Sequence, residues 1–446
     1  MGSILNFVFT CDNYKELTNN IFNGSLKNSE SEKNWYQRSA ILGYLLNNPH
    51  SHTLSFKDSI DNTKLNFYLL ECQSSLRDLF GVGHGFETEF GKSIVKNLSP
   101  KILKAVKDKK CKILVTSISE PTDRVDRFKI QFDLFLKEFG FSHDDFIFVD
   151  SNREIEYLNK IYNREIFYTI EHFIYDGATN YFNILNSENY SNDLNYKPTL
   201  YSDDELKNNV DRRYTFLSLN RSNWKIHRTI LGCYLNRKNY DNILWSYITK
   251  PSQKYLEDFN HLDYFSEWPS NLQELVKEEI SNLESVVPKE IDTQLTDNKQ
   301  GFKTSDTFSE QITKDCYFEI VTESSFFGPI FFSEKIVKPI IMMHPFILIA
   351  SKGTLKSFQD LGFKTFDGLF DESYDKIHDS IERINFILSE IDRISRLPKS
   401  EVMDLYKRYF DICIYNRNHL LTNFYNENFY TNFFEKISSN IKNNIL

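Results

Sequence analysis

Short apolar runs alternate with amphipathic stretches along much of the chain, and this spacing predicts alternating strands and helices. Residues 112–118 form a β-branched run typical of a buried strand, and apolar side chains recur at helical spacing over 123–138. Gly140 ends that helix, and a second apolar run follows at 145–150. Strand, helix and strand in close succession form a βαβ unit, which implies parallel pairing. An earlier strand at 65–70 is expected in the same sheet.

The same alternation restarts after 186–209, a polar stretch with few aliphatic residues that we interpret as a linker. The elements predicted after it are a strand at 214–220, a helix at 226–235, a strand at 317–321, a helix at 333–343, a strand at 346–350 and a helix at 354–361. A polar stretch at 288–307 is predicted to be a surface loop, and the chain is helical by period from 377 onward. We therefore predict an α/β protein with domains at 1–205 and 206–376 and a helical tail at 377–446.

Length, composition and charge support this division and exclude several classes. The 446 residues are too many for one compact core, and 40% hydrophobic with 26% charged residues is typical of a globular protein. The net charge of -9 offers no field that would gather nucleic acid, although a local basic groove stays open. The aromatic share of 15% accompanies abundant Asn, Lys and Ile, as codon bias in an A/T-rich genome would give, so it does not indicate a stacking surface.

Cysteine spacing and hydropathy indicate the cellular compartment in which the protein is expected. The six cysteines are widely scattered and form no CxxC pair, which indicates reduced core thiols rather than a disulfide framework or a zinc site. The sequence has no apolar run long enough to span a membrane and no secretion signal at its start. We expect a cytoplasmic protein without a membrane span.

The segment 316–351 contains the strongest candidate chemistry. A predicted strand ends at 322–324, a loop follows, and Ser333 is placed to cap the next helix. The unpaired N–H groups of a helix start favour an anion, Lys335 adds a positive charge, and Glu334 could accept the hydroxyls of a ribose. These groups, with Glu323 and Ser324, suit a nucleoside diphosphate at the carboxyl ends of parallel strands. The alternative is an ordinary surface helix start, where such residues are common.

A second candidate follows the strand predicted at 214–220. Four side chains that can carry a positive charge stand within eight residues: Arg221, Lys225, His227 and Arg228. Together they could clamp a diphosphate. A solvated basic loop is the alternative interpretation.

Both segments resemble the donor-binding half of the α-1,3-fucosyltransferases and related GT-B glycosyltransferases. The family has a strand ending Phe-Glu-Asn, a loop, Thr-Glu-Lys opening a helix, and a strand beginning Pro-Val. The counterparts here are Thr322-Glu323-Ser324, Ser333-Glu334-Lys335 and Pro345-Phe346-Ile347. The resemblance implies that Glu334 holds the donor ribose and Lys335 a phosphate, and Arg228 is the counterpart of the family's phosphate-binding Arg. This chain departs from the family at Ser324, where the family has Asn, and at Phe331, where it has Tyr.

The resemblance also implies a fold and a reaction. Two Rossmann-like domains are expected to face a cleft, as in GT-B enzymes, and a sugar would pass from a nucleotide-diphosphate sugar to the hydroxyl of a glycan or another acceptor. The run 364–375 resembles segments of uncharacterised, often viral, glycosyltransferase-like sequences. The chain could therefore be a viral or phage member of the family that acts in the cytoplasm of its host. That run either lines the donor pocket or ends the sheet. No Asp-X-Asp motif ends a predicted strand, which favours a reaction without metal. We expect an inverting transfer, with the nucleotide sugar as donor substrate and no cofactor.

An inverting transfer needs a base on the acceptor side of the first domain. Glu120 follows the strand predicted at 112–118, and Pro121 prevents that strand from continuing. Glu87 and His84 stand in a glycine-rich segment and are the other candidates, although a plain turn and a structural histidine explain them as well.

Two further classes of function stay open. The chain could be a catalytically inactive nucleotide- or carbohydrate-binding protein of the same fold, since a fold does not fix function. It could also glycosylate phage DNA, although the acidic balance argues against a nucleic-acid partner.

Overall fold

The structure is a computed structural model, and it describes residues 5–9, 53–56, 60–71, 98–117, 122, 125–186, 202–209, 211–220, 225–247, 270–287, 289, 314–425 and 429–443. The chain folds into two compact units. The first unit comprises residues 1–172 and 427–446, and the second unit comprises residues 173–426.

Strands and helices alternate along the described part of the chain. The strands are β1 (Leu5–Phe9), β2 (Thr53–Phe56), β3 (Leu65–Glu71), β4 (Cys111–Ser117), β5 (Phe146–Asp150), β6 (Phe167–Thr169), β7 (Tyr214–Asn220), β8 (Ile243–Tyr247), β9 (Cys316–Thr322) and β10 (Phe346–Ile349). The helices are α1 (Pro100–Lys107), α2 (Val125–Phe139), α3 (Tyr157–Tyr162), α4 (His172–Asn186), α5 (Asp203–Asn208), α6 (Ile226–Lys238), α7 (Ser270–Val286), α8 (Glu334–Met342), α9 (Thr354–Asp360), α10 (Ser380–Ser395), α11 (Lys399–His419) and α12 (Phe429–Asn443).

The first unit is built on a parallel sheet with the strand order β2-β1-β3-β4-β5-β6. From β1 the chain passes to β2 on one side and then to β3 on the other, so the order reverses between β1 and β3. Phe132 of α2 packs its ring edge-on against Phe148 of β5, with centroids 4.9 Å apart. Helix α12 closes the unit, because Phe434 meets Phe7 of β1 at 5.2 Å and both rings are buried.

The second unit has a parallel sheet of order β10-β9-β7-β8, which reverses between β7 and β9. Consecutive residues of a strand point to opposite faces of the sheet. On β9, Tyr317 meets Tyr406 of α11 at 5.7 Å, and Phe318 meets Phe370 at 6.0 Å. Both faces of this sheet are therefore covered, as in doubly wound α/β folds. The predicted α/β class, with a parallel sheet in each half, is confirmed.

Most predicted elements lie within two residues of their observed bounds, and β7 matches its prediction at both ends. The apolar tail also forms the expected helices, α10, α11 and α12. The predicted linker at 186–209 is wrong at its end, because α5 occupies Asp203–Asn208; residues 187–201 lie outside the described residues. The domain boundaries at 205/206 and 376/377 stay predictions.

Thiol burial and helix hydropathy complete the description. Cys111, Cys233, Cys316 and Cys413 are buried free thiols, as the sequence predicts, while the other two cysteines lie outside the described residues. Burial raises the pKa of Cys111 and of Cys233 to about 12. In the ranges that the structure describes, no helix combines the length and apolar character needed to cross a membrane.

Candidate functional site

The candidate site lies at the carboxyl ends of β7 and β9, where the strand order of the second unit reverses. Asn220 ends β7 and Thr322 ends β9, and the Thr322 hydroxyl donates a hydrogen bond of 2.6 Å to Oδ1 of Asn220. The amide of Asn220 in turn donates to Oγ of Ser218 at 3.2 Å. All three side chains are buried. Ligands of open α/β sheets bind at such a reversal point, outside the carboxyl ends of the strands.

Glu323 follows β9 directly and joins the two ends of the next loop. Its carboxylate is fully buried and accepts hydrogen bonds from the backbone N–H and the hydroxyl of Ser333, and from the N–H of Ser324 at 3.2 Å. Burial raises the pKa of Glu323, while the positive charge of Lys335 and the bonds from Ser333 act in the opposite direction. The carboxylate therefore fixes the position at which α8 begins.

Helix α8 begins with a partly exposed pair of opposite charges. Ser333 caps the helix by accepting a hydrogen bond from the N–H of Lys335 at 3.3 Å, as its position in the sequence predicts. Nζ of Lys335 lies 2.6 Å from Oε1 of Glu334 and 3.4 Å from Oγ of Ser324. Burial alone would raise the pKa of Glu334. The positive charge and the hydrogen bond of Lys335, together with smaller contributions, lower the pKa below its ordinary value. About a third of each charged side chain is exposed, 28% for Lys335 and 32% for Glu334, so a ligand can reach both.

The structure brings the second candidate segment onto the first. Arg228 lies on the first turn of α6, and its Nη2 is 3.5 Å from the carbonyl oxygen of Thr322 and 3.4 Å from that of Glu323. The neighbouring His227 places Nε2 2.8 Å from the same Glu323 oxygen. Lys225 precedes the helix as its N-cap residue. The starts of α6 and α8 therefore meet at the end of β9.

The burial of His227 shows that one interpretation of the sequence is wrong. The sequence groups it with three cations as a fourth possible positive charge, but its side chain is only 2% exposed. Burial lowers the pKa of His227 well below its ordinary value, and the charges of Arg228, Lys225 and Lys335 lower it further. The imidazole is therefore neutral at pH 7. Positive charge is concentrated at this edge of the sheet, because Arg228 reaches the carbonyl oxygen of Glu323 and Lys335 reaches Oγ of Ser324.

The remaining candidates divide into two groups. Arg221, Glu120, Glu87 and His84 lie outside the described residues, and their roles stay predictions. The run 364–375 has structural contacts, because the carboxylate of Asp375 accepts the N–H groups of Leu355 and Lys356 at the start of α9. The Tyr374 hydroxyl likewise accepts the N–H of Leu348 on the edge strand β10. These contacts favour the interpretation that the run ends the sheet.

Sequence reasoning missed several residues of the site. The sequence placed Thr322 in the family motif and Asn220 at the end of a strand, but it did not predict the hydrogen bond between them, and it did not single out Phe326. The buried Arg383, whose Nη2 donates to the carbonyl oxygen of Phe326 at 2.7 Å, lies on α10 and carries no motif. In the described ranges, three or more His, Cys, Asp or Glu side chains are nowhere placed to hold a metal ion together.

Comparison with known proteins adds only distant likeness to solved structures. No protein-family model matches the chain, and no curated protein matches it in sequence. One similar solved structure is described as trehalose-6-phosphate from E. coli bound with UDP-2-fluoro glucose, with a TM-score of 0.40 and 10% identity over 98% of each chain. A likeness this distant does not assign a function.

Proposed function

We propose that this chain is a glycosyltransferase of the GT-B type, and that its second unit binds a nucleotide-sugar donor at the carboxyl ends of β7 and β9. The observation that carries the proposal is that Arg228 and Lys335 converge on the end of β9. Nη2 of Arg228 lies 3.4 Å from the carbonyl oxygen of Glu323, and Nζ of Lys335 lies 3.4 Å from Oγ of Ser324. They converge where the sheet order reverses. A cluster of cations at that place is suited to an anionic ligand with two phosphates.

Each part of the site has a chemical role in this proposal. Lys335 and the first N–H groups of α8 hold one phosphate, and Arg228 at the start of α6 holds the other. The carboxylate of Glu334 accepts hydrogen bonds from the ribose hydroxyls. Glu323 does not touch the donor, because its carboxylate is fully buried against Ser333. It serves to hold the helix start in place.

The positive charges also stabilise the leaving group of the transfer reaction. In an inverting transfer the acceptor hydroxyl attacks the anomeric carbon, the bond from that carbon to the diphosphate oxygen breaks, and a base takes the hydroxyl proton. Arg228 and Lys335 neutralise the charge that develops on the leaving diphosphate, as a metal ion does in other transferases. The acceptor is a glycan or another hydroxyl compound, and Glu120, Glu87 and His84 are the candidate bases.

Two departures from the fucosyltransferase pattern bear on the donor sugar. Phe331 stands where the family has Tyr, and its ring is 2% exposed and packs against Phe173 at 5.7 Å. Ser324 stands where the family has Asn, and its hydroxyl reaches Nζ of Lys335 at 3.4 Å. Because the Phe331 ring offers no polar group, these positions favour a donor other than a fucose nucleotide.

A binding experiment tests the donor site. The thermal shift of the whole chain is measured with UDP, GDP, ADP, CDP and their sugar conjugates, since a ligand that binds the folded state raises the midpoint of unfolding. The wild type should be stabilised by at least one of them, and Lys335→Ala should lose most of that stabilisation. Lys399→Ala is the matched control, because its Nζ pairs with Asp211 at the opposite end of the sheet. If no nucleotide stabilises the wild type, the proposal is wrong.

A turnover experiment separates the transferase from the inactive binding protein. The nucleotide sugar that binds best is incubated with a panel of glycan acceptors, and release of the nucleoside diphosphate is measured. A transferase should release it in an acceptor-dependent manner and lose turnover with one of Glu120→Gln and Glu87→Gln. Binding without release with any acceptor, and without an effect of these substitutions, would identify the binding protein.

A further inference from the structure

We propose that Arg383 on α10 is a positioning residue for the donor loop, which we define as residues 324–333 between β9 and α8. The inference rests on the proposed function, because this loop carries the start of α8 and hence Lys335. Arg383 lies 57 residues beyond Phe326 of the loop in sequence, and it touches neither Lys335 nor Glu334 in any described hydrogen bond.

Arg383 grips the loop with its guanidinium. The side chain is 2% exposed, and Nη2 donates to the carbonyl oxygen of Phe326 at 2.7 Å. Nη1 donates to the carbonyl oxygen of Ile377 at 2.9 Å, just before α10. The guanidinium carbon also lies 4.5 Å from the centre of the Phe326 ring, a cation–π distance. One buried side chain thus fixes both the backbone and the ring of Phe326.

Phe326 connects Arg383 to the residues at the start of α6. Its ring stacks on the imidazole of His227, with centroids 5.4 Å apart and planes at 25°. His227 in turn bonds the carbonyl oxygen of Glu323, to which Arg228 also points. The chain of contacts therefore runs from α10 through the donor loop to the first turn of α6 and the end of β9. Each of the groups that transmit it is buried.

Holding a loop with a buried guanidinium has a desolvation cost. Burial lowers the pKa of Arg383, and the negative charges of Asp375 and Asp379 oppose that effect. An apolar side chain would fill the same space without this desolvation, but it would not fix the direction of the Phe326 carbonyl. The directional bond is what a loop that must present Lys335 and Glu334 at a set position requires.

A matched control stands on the same helix. Arg393 of α10 donates to the carbonyl oxygen of Leu369 at 2.8 Å, so it also ties α10 to a loop carbonyl. Leu369 lies outside the donor loop. Removing either guanidinium should destabilise the fold, but only the loss of Arg383 should disturb the donor site.

The test is a titration of the whole chain with inorganic pyrophosphate, UDP and GDP by calorimetry, alongside the unfolding midpoint. Arg383→Gln should lower the midpoint more than Arg393→Gln, because the Arg393 side chain is 48% exposed, and only Arg383→Gln should weaken pyrophosphate and nucleotide binding, by roughly tenfold. Arg383→Lys keeps the charge and one donor, so its affinity should lie between those of the wild type and Arg383→Gln. Phe326→Leu keeps the backbone acceptor but removes the ring, and it should weaken binding even if Arg383→Gln does not fold.

The outcomes separate this inference from the proposed function. If the wild type binds and Lys335→Ala does not, yet Arg383→Lys, Arg383→Gln and Phe326→Leu bind as tightly as Arg393→Gln, Arg383 is merely structural and the inference is wrong. If the wild type binds none of the three probes, the proposed donor site fails and the inference fails with it.

Discussion

His227 donates a hydrogen bond of 2.8 Å from Nε2 to the carbonyl oxygen of Glu323. A carbonyl can only accept, so the ring hydrogen must stand on Nε2. The ring is buried beside Arg228 and stacked on Phe326. One imidazole, which is neutral at pH 7, thus joins the first turn of α6 to the end of β9.

The neutral state of His227 predicts a pH dependence of stability. The unfolded histidine takes up a proton as the pH falls through about 6.5, whereas the lowered pKa of the folded His227 prevents this. The unfolded state then binds more protons, so the free energy of unfolding should decrease with falling pH below about 6.5. His227→Gln keeps an N–H donor and should remove this part of the decrease. Urea unfolding at a series of pH values measures it, with the exposed His378→Gln as control.

Ser333 should contribute more to stability than an ordinary helix cap. Its hydroxyl serves the buried Glu323 as well as capping α8. Ser333→Ala loses the cap, worth about 1 kcal/mol, and removes the hydroxyl donor of a buried carboxylate, at a further cost of about 1–3 kcal/mol. Ser99→Ala removes the cap of α1, which accepts the N–H of Ile102 and serves no buried acid in the described contacts, so it should cost only about 1 kcal/mol. Equal losses in the two variants by urea unfolding would contradict the role of Ser333.

Glu372 should act on stability in the opposite pH direction. Burial raises its pKa to about 7, although its Oε1 accepts the N–H of Phe366 at 2.7 Å. The folded state therefore keeps the proton while the unfolded glutamate releases it near 4.5, and stability should fall as the pH rises from about 4.5 to about 7. Glu372→Gln keeps the acceptor and should be more stable than the wild type at about pH 8 but not at about pH 5. The exposed Glu401→Gln is the control, and an unchanged profile in Glu372→Gln would contradict the prediction.

Arg212 should be one of the costliest side chains to remove. It is fully buried, and its guanidinium donates to the carbonyl oxygens of Cys316 and Leu206 and to the Tyr406 hydroxyl. Arg212→Met leaves three acceptors without this donor, which should cost about 3 kcal/mol or more in urea unfolding. The adjacent Arg213 is exposed, and Arg213→Met should change stability by less than about 0.5 kcal/mol.

The hydrophobic pattern predicted β3, β4, β5, β7, β9 and β10, because buried strands leave a dense apolar run in the sequence. The bounds of β7 and the apolar period of α10 show this. Strands β2, β6 and β8 were not predicted. A capping signal was overlooked in the predicted linker, where Ser202 and Glu205 form a capping box that opens α5. Helix α4 was missed because Gly177 lowers its helix propensity. A Cβ at that position would lie 2.4 Å from Cγ1 of Val337, so the close packing of α4 on α8 requires glycine.

The candidate site was predicted in its parts but not in its assembly. The sequence located Lys335 and Arg228 by motif, yet nothing local shows that Arg228 reaches the carbonyls of Thr322 and Glu323, more than ninety residues away. It also left open whether the Glu323 carboxylate faces a ligand or the protein. That choice depends on the packing of Ser333 and the loop between them, which has no sequence signature. The contribution of Arg383 could not be predicted for the same reason.

The pairing of Phe434 with Phe7 has a consequence for biosynthesis. The first unit takes its last helix, α12, from the far end of the chain. While the ribosome is making the second unit, β1 lacks the helix that covers Phe7. We expect the first unit to be completed only after α12 has left the exit tunnel, which is later than the synthesis of every described element of the second unit.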